Sequence, residues 1–495
     1  MKTPYFTFKG STFYFNKMNL SPNQLSLSAF STLTPRIWEI PLYVIAFLAL
    51  AIGAIHLQLE LFALAAILGI PLVYGFFINP RFWIYFATLL AIPWFRDLSE
   101  ETTPFEVITA LFYVGSLAVW FISRIFFLKR KIVSTVIDGV LLTAILLTFV
   151  SFILGFFFNV DTTLKEILSE WLVLFFLLYA FPIKELFKTE KQIMTLLAFW
   201  LTVSLGISGF SIYKYTKTTS LAVYAWQIVS ARNALNELVY VFGCIISILG
   251  IALFENRRVK MFLFCIFVVV FAALVSTFTR GYWLGFIIAF TATFFFLPKK
   301  NKILITVISL CTVIVLGSGI FLFFQEKALT ALTMVGKRFT SSSKASQDLS
   351  ILVRVKESGL LLNRISESPL GGYGLGAKYH YYDMIEKHTV YYTFAHNGYL
   401  YAAFKFGIPH ALLIYFPFFS SVLIGFYVAR KTKNTYTMYF ALVSAGTLLA
   451  MLSISMTANQ ISMREGNYIG GVCIGIAIIS YLRYKEEQKE LGMIT

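Results

Sequence analysis

Apolar runs of about 20 residues recur along nearly the whole chain, and nothing else in it limits the fold as strongly, because such a run matches the hydrocarbon thickness of a bilayer. Inside lipid every backbone N–H and C=O must find a partner within the protein, so unbroken runs of this kind read as helices. They can be placed near 38–57, 59–78, 80–96, 104–127, 133–158, 167–187, 191–213, 234–254, 259–278, 281–297, 302–324, 398–429, 435–457 and 466–484, about fourteen spans in all. Only 13% of the residues are charged and 58% are hydrophobic, against about 25% charged in soluble domains. The expected fold class is therefore all-α, a polytopic membrane protein. Its expected layout is a cytoplasmic tail over 1–37, transmembrane helices over 38–233, and a second transmembrane domain over 234–484. That domain contains one large outer loop at 325–397, and a cytoplasmic tail follows at 485–495. The first 37 residues lack the apolar core and small-residue cleavage site of a signal peptide, so the first span is expected to direct insertion.

The net charge of +17 invites a nucleic-acid reading, which the placement of the charges excludes. Lys129-Arg130-Lys131, Lys184 to Lys191, Arg257-Arg258, Lys299-Lys300-Lys302, Arg430-Lys431-Lys433 and Arg483-Lys485 stand at alternate helix junctions, which is membrane topology and not a binding stripe. By the positive-inside rule those junctions are cytoplasmic. The opposite junctions then face outward: Arg96 to Glu106, Asn159 to Glu166, Lys214 to Arg232, Thr277 to Arg280 and the 325–397 loop. Cys244, Cys265, Cys311 and Cys473 sit in apolar segments without Cys-x-x-Cys spacing and read as buried packing residues. The run 398–429 is too long for one straight span, and Gly407-Ile408-Pro409 should divide it into a short half-helix at the outer face and a full span from about 409 to Arg430.

Polar chemistry concentrates in the outer loop and the turn before it. Arg280 is the charge in the turn Thr277 to Gly285; it either snorkels to the outer headgroups or points into the protein, with Gly281 allowing close backbone approach. Leu349 to Glu367 can be drawn as a helix. At about 100° per residue, Lys356, Glu357, Asn363, Arg364 and Glu367 share a polar arc, while Arg354 falls on a stripe with Ser350, Ser358, Leu361 and Ile365. His396 precedes Asn397, a good helix N-cap. It reads either as an interfacial polar residue or as a base, since a histidine titrating near its ordinary value of about 6.5 can take a proton from a sugar hydroxyl. His380 and His388 lie among Tyr379, Tyr381, Tyr382, Tyr391 and Tyr392, which form either an interfacial aromatic belt or faces for sugar rings. Asp97, Glu100, Glu101 and Glu106 are acidic but lack a metal-ligand spacing, so no metal is expected. The glycine-rich Pro369 to Gly376 follows no strand of a βαβ unit and reads as a turn whose amides approach something closely.

Three blocks in order around one outer loop resemble the signatures of the O-antigen ligase and polymerase superfamily. They are Thr279-Arg280-Gly281-Tyr282-Trp283-Leu284-Gly285, then Arg354 with Glu367-Ser368-Pro369-Leu370-Gly371-Gly372-Tyr373-Gly374, then His396-Asn397-Gly398-Tyr399-Leu400 with Phe406-Gly407-Ile408-Pro409. Asn233 to Leu238 is similar to the Asn-containing start of a span in that family, and Gly372 and His410 depart from its pattern. The resemblance implies a multi-pass glycosyltransferase of the bacterial cytoplasmic (inner) membrane that takes a glycan from an undecaprenyl-diphosphate-linked donor and passes it to a glycan or glycolipid acceptor, without a cofactor. It implies that Arg280 and Arg354 bind the diphosphate and that His396 activates the acceptor hydroxyl. Arg232, Tyr373, Gly374, Lys378, Asn397 and Tyr399 are then the expected substrate-binding residues. A ligase and a repeat-unit polymerase fit these motifs equally. A lipid-linked sugar transporter would call for charged or broken helices at mid-membrane, where these spans are mostly uncharged.

Overall fold

The computed structural model of the protein describes residues 80–91, 104–159, 161–220, 236–324, 333, 336, 349–383 and 388–492. The expected spans 38–57 and 59–78, the acidic Asp97, Glu100 and Glu101, Arg232 with Asn233, and most of 325–348 lie outside the described residues. The chain runs through α1 (Pro80–Ala91), α2 (Pro104–Ile122) with a π-helical turn at Ser123–Phe127, α3 (Val136–Phe158) and α4 (Leu164–Leu174). A 3₁₀ stretch at Phe175–Tyr179 leads into α5 (Ala180–Leu186), followed by α6 (Glu190–Ser220), α7 (Glu237–Leu253), α8 (Arg257–Ser276), α9 (Arg280–Phe296), α10 (Lys299–Phe324) and α11 (Leu349–Glu367). Then come β1 (Tyr379–Asp383), β2 (His388–Tyr392), α12 (Gly398–Phe406), α13 (Ile408–Lys431), α14 (Thr435–Ile454) and α15 (Arg464–Glu490).

Among the described residues, seven helices are long and apolar enough to cross a membrane: α3, α4 with α5, α6, α8, α13, α14 and α15. The protein is a multi-pass membrane protein. Helices α14 and α15 form the middle of the bundle, each 83% buried over its apolar window, whereas α3 and α8 are 33% buried and turn apolar faces outward. Side chains such as Phe157 on α3, Leu310 on α10, and Leu412 and Leu423 on α13 are exposed on the outside of the bundle, as lipid contact requires. Small residues set the closest approach: a Cβ on Gly471 would stand 2.8 Å from the Phe176 carbonyl oxygen, and one on Gly475 3.0 Å from that of Ala180. Glycines of α15 thus let its backbone lie against the 3₁₀ stretch, the packing mode that small residues serve in membranes.

The bundle has two chemically different ends. At one, Lys184 meets Asp138 at 2.7 Å, Arg124 meets Glu185 at 2.7 Å, Arg483 pairs with Glu190, Asn434 donates to Glu190 at 3.0 Å, and Thr432 donates to Glu487. Four of the six basic junctions read as cytoplasmic, 129–131, 184–191, 430–433 and 483–485, come together at this end. At the other end lie the C-terminal turns of α3 and α14, the start of α4, the 371–378 turn, α12 and the loop 455–463. An impermeant thiol reagent checks the sidedness at exposed positions, Leu370 and Lys433. Leu370→Cys is expected to label in intact cells and Lys433→Cys only after lysis; the reverse pattern would invert the topology.

The expected break in 398–429 is present. Gly407 has φ +81 and ψ 160, a backbone region open to glycine alone, and a Cβ there would run into the Leu370 carbonyl. The described residues fit the all-α class; the exception is the short antiparallel hairpin β1–β2, which pairs Tyr379 with Tyr392 and His380 with Tyr391, where β-branched and aromatic residues favour strands and the stretch is too polar for a span. One expectation needs correction. Of the four cysteines, Cys244 and Cys473 are buried as expected but Cys265 and Cys311 are exposed, because an apolar residue in a membrane helix can satisfy itself against lipid as well as protein.

Candidate active site

His396 is held from both directions along the chain. After it, the Asn397 side chain accepts from Tyr399 N at 3.0 Å and Leu400 N at 3.1 Å, an N-cap of the kind that contributes about 1 kcal/mol. Gly398 N donates to the Ser455 carbonyl at 2.7 Å, and a Cβ on Gly398 would stand 2.9 Å from the Tyr415 hydroxyl and 3.1 Å from Asn459 Oδ1. Before it, the Tyr379 hydroxyl lies 2.7 Å from the Phe394 carbonyl, and the Phe394 ring stands edge-on to the imidazole with centroids 5.5 Å apart. The imidazole is 41% exposed, so its outer edge is open to a substrate.

The inner edge meets a carboxylate. His396 Nδ1 lies 3.0 Å from Glu357 Oε2, and the backbone N–H of His396 donates to the same oxygen at 3.3 Å. The Tyr379 hydroxyl donates to Glu357 Oε1. An ionised carboxylate only accepts, so this network assigns the proton of a neutral His396 to Nδ1 and leaves the Nε2 lone pair facing outward. Sequence reasoning placed Glu357 on the solvated arc of its helix; it is 3% exposed. The true inward stripe is Glu357, Leu361 and Ile365, spaced four apart, which packs with Ala377, Tyr379, Ala395, Tyr401 and Phe404 in a small core of its own. The signal was that spacing, with Glu357 at the apolar end of it. Arg354 is half-buried one turn earlier on the same helix, where positions three apart are neighbours.

Arg280 is the first residue of α9 and is half-buried. The turn before it holds Phe278 at φ +50, an uncommon conformation for a bulky residue. Trp283 Nε1 stabilises the turn from within by donating to the Leu274 carbonyl at 2.9 Å. Thr279 Oγ1 donates to Glu237, buried at the start of α7, at 3.3 Å. Gly281 does admit a close neighbour, the Thr457 side chain, and Gln460 Nε2 donates to the Tyr282 hydroxyl at 2.8 Å. The loop 455–463 therefore touches both the Arg280 turn and, through Ser455 and Asn459, the His396 turn. Sequence reasoning gave this loop no role, because it carries no charge and no motif.

The remaining expected site residues that are described have protein partners. The Tyr373 hydroxyl donates to Glu367 at 2.6 Å and Arg364 Nη1 donates to the same carboxylate at 3.1 Å; these two hydrogen bonds hold the Glu367 carboxyl below the usual carboxylate range, and Arg364 also caps the Tyr373 ring at 6.0 Å. Gly374 N donates to the Lys405 carbonyl at 2.9 Å and Leu375 N to that of Ser151 at 2.9 Å. The glycine-rich turn approaches backbone, as expected, but the backbone is that of α3 and α12. Lys378 Nζ reaches the Asp161 carbonyl at 2.8 Å and Glu166 at 3.2 Å. Tyr399 donates to the Leu452 carbonyl at 2.8 Å and lies against the Tyr415 ring. His410 Nε2 meets the Ala144 carbonyl at 2.8 Å, a contact between α13 and α3. His380 and His388 are exposed on the hairpin. Among the described residues no cluster of three His, Cys, Asp or Glu side chains could hold a metal ion.

Lys405, absent from the sequence expectations, is fully buried. Its ammonium meets Glu170 Oε1 at 2.9 Å, Glu170 Oε2 at 3.0 Å and the Ala377 carbonyl at 2.8 Å, which uses all three of its donors. Glu170 also accepts from Gly376 N at 2.7 Å. Burial pulls Lys405 below the ordinary lysine range, against the opposing pull of Glu170. The pair ties α12 and the 371–378 turn to α4.

The O-antigen ligase family model matches residues 265–416 of this chain, a stretch that contains Arg280, Arg354, Glu357 and His396. It supports the superfamily to which the three sequence blocks point. No curated protein matches the chain.

Proposed function

We propose, from the premise of that O-antigen ligase match, that the protein is a metal-independent glycosyltransferase of the bacterial cytoplasmic membrane. It transfers a glycan from an undecaprenyl-diphosphate carrier to an acceptor sugar hydroxyl at the outer face. The observation that carries this reading is His396, whose Nδ1 is held by Glu357 while the opposite edge of the ring is open. In the reaction, His396 Nε2 takes the proton of the acceptor hydroxyl and the oxygen bonds to the anomeric carbon of the donor. The bond from that carbon to the diphosphate oxygen breaks, and the electron pair leaves with the diphosphate. Arg280 and Arg354 stabilise the charge that gathers there, a task for which guanidinium donors suffice without a metal. The products are the glycosylated acceptor and the carrier diphosphate. The apolar outer faces of the bundle keep the polyprenyl chain in lipid while its head group reaches the polar end.

The test is to delete the protein and analyse carrier-linked and exported glycan separately. Long chains stranded on the carrier are the expected result; single repeat units accumulating there would identify a polymerase, and no change in either pool would refute the assignment. Purified protein is expected to keep transferring glycan in chelator. Loss of activity restored by magnesium or manganese would overturn metal independence.

A further inference from the structure

We infer that Glu357 is a positioning residue for His396, fixing the tautomer and stabilising the imidazolium that forms when the acceptor proton arrives. This rests on the general-base reading of His396 and deepens it. A carboxylate 3% exposed is costly to keep unless several donors satisfy it. Here three do, from two residues: the Tyr379 hydroxyl on β1, and the backbone N–H and ring of His396. A rivet between α11 and the 394–397 segment would need only hydrogen bonds. A negative charge set against Nδ1 also stabilises the imidazolium that forms as the acceptor proton is taken up. Among the described residues, the titratable groups in hydrogen-bonded contact with the ring or its partner are Glu357 from α11 and, behind it, Tyr379 from β1; the cation of α12, Lys405, is bound to Glu170.

Glu357→Gln separates charge from geometry. The backbone N–H of His396 keeps the amide oxygen on the side of the ring, and the Tyr379 hydroxyl can accept from the new amide N–H while donating to the Phe394 carbonyl. The Nδ1–H tautomer is therefore retained and only the charge is lost. The measurement is transfer rate against pH with a carrier-linked donor, for wild type, Glu357→Gln, His396→Ala and the double variant. Glu357→Gln is expected to cost roughly 10–100-fold, the range for removing a partner that orients a functional histidine, with the acid limb of the profile displaced to lower pH. In the His396→Ala background it is expected to cost nothing further, because a residue that acts through another has no effect once that other is gone. A loss that is equal at all pH values, or that adds in full to His396→Ala, would make Glu357 a structural rivet and overturn the inference. Normal transfer by His396→Ala would overturn the general-base reading, and this inference with it. If the glutamine variant does not fold, Glu357→Asp, which withdraws the charge by one methylene, decides the matter by the same non-additivity.

Discussion

His396→Ala is expected to lower glycan transfer by about 10²–10⁴-fold, the contribution of a positioned general base, with the protein still folded and the donor still bound. The fold does not depend on the imidazole: the ring is 41% exposed, the Asn397 cap is independent of it, and the backbone N–H to Glu357 survives the substitution. Elution from size exclusion in detergent should be unchanged, so the loss is read as chemistry. Near-normal transfer at saturating acceptor would return His396 to an interfacial polar residue. Arg280→Lys and Arg354→Lys are expected to differ in kind, weakening donor binding or the diphosphate-departure step, because an ammonium point charge does not reproduce paired guanidinium contacts.

Lys405→Met is expected to destabilise the folded protein by roughly 3 kcal/mol, at the lower end of what breaking a buried ion pair costs. Glu170 is 13% exposed, so water relieves part of the penalty of its stranded carboxylate. Adding Glu170→Gln should recover most of the loss, since an amide oxygen still accepts from Gly376 N and no uncompensated charge remains. Thermal unfolding in detergent reads both variants. A single variant as stable as wild type, or a double variant no better than the single, would show that the pair is not what holds α12 to α4.

Legibility from sequence divided according to how local the cause was. The break at Gly407, the helix at Leu349–Glu367 and the cap at Asn397 are each determined by residues within one turn, and each was read correctly. The spans that fall within the described residues were found as helices because lipid imposes a length and a polarity that no neighbour alters. Glu357 and Lys405 were missed because a charge is buried only when a partner distant in sequence meets it, and neither His396 nor Glu170 marks itself as that partner. The turn 371–378 shows the same limit: its glycines predicted close approach, and only the fold reveals that the approach is to Ser151, Gly155 and Lys405. Of the residues proposed to act in transfer, Arg280, Arg354 and His396 stand in recognisable blocks, whereas Glu357, the carboxylate against His396 Nδ1, carries no motif.

The polar end is fastened to the bundle at three separate points, Gly398 to Ser455, the 371–378 turn to α3, and Lys405 to Glu170. Fasteners of this kind make the height of His396 above the apolar helix ends a fixed dimension of the protein. The donor proposed above has a second fixed height, with its polyprenyl tail in lipid and its diphosphate at the surface. Two fixed heights select one sugar, the one next to the carrier, as the residue whose anomeric carbon meets the acceptor oxygen that the base activates. The rest of the glycan extends into solvent and does not enter the geometry of attack, so donors of one repeat and of many are expected to be severed at the same bond.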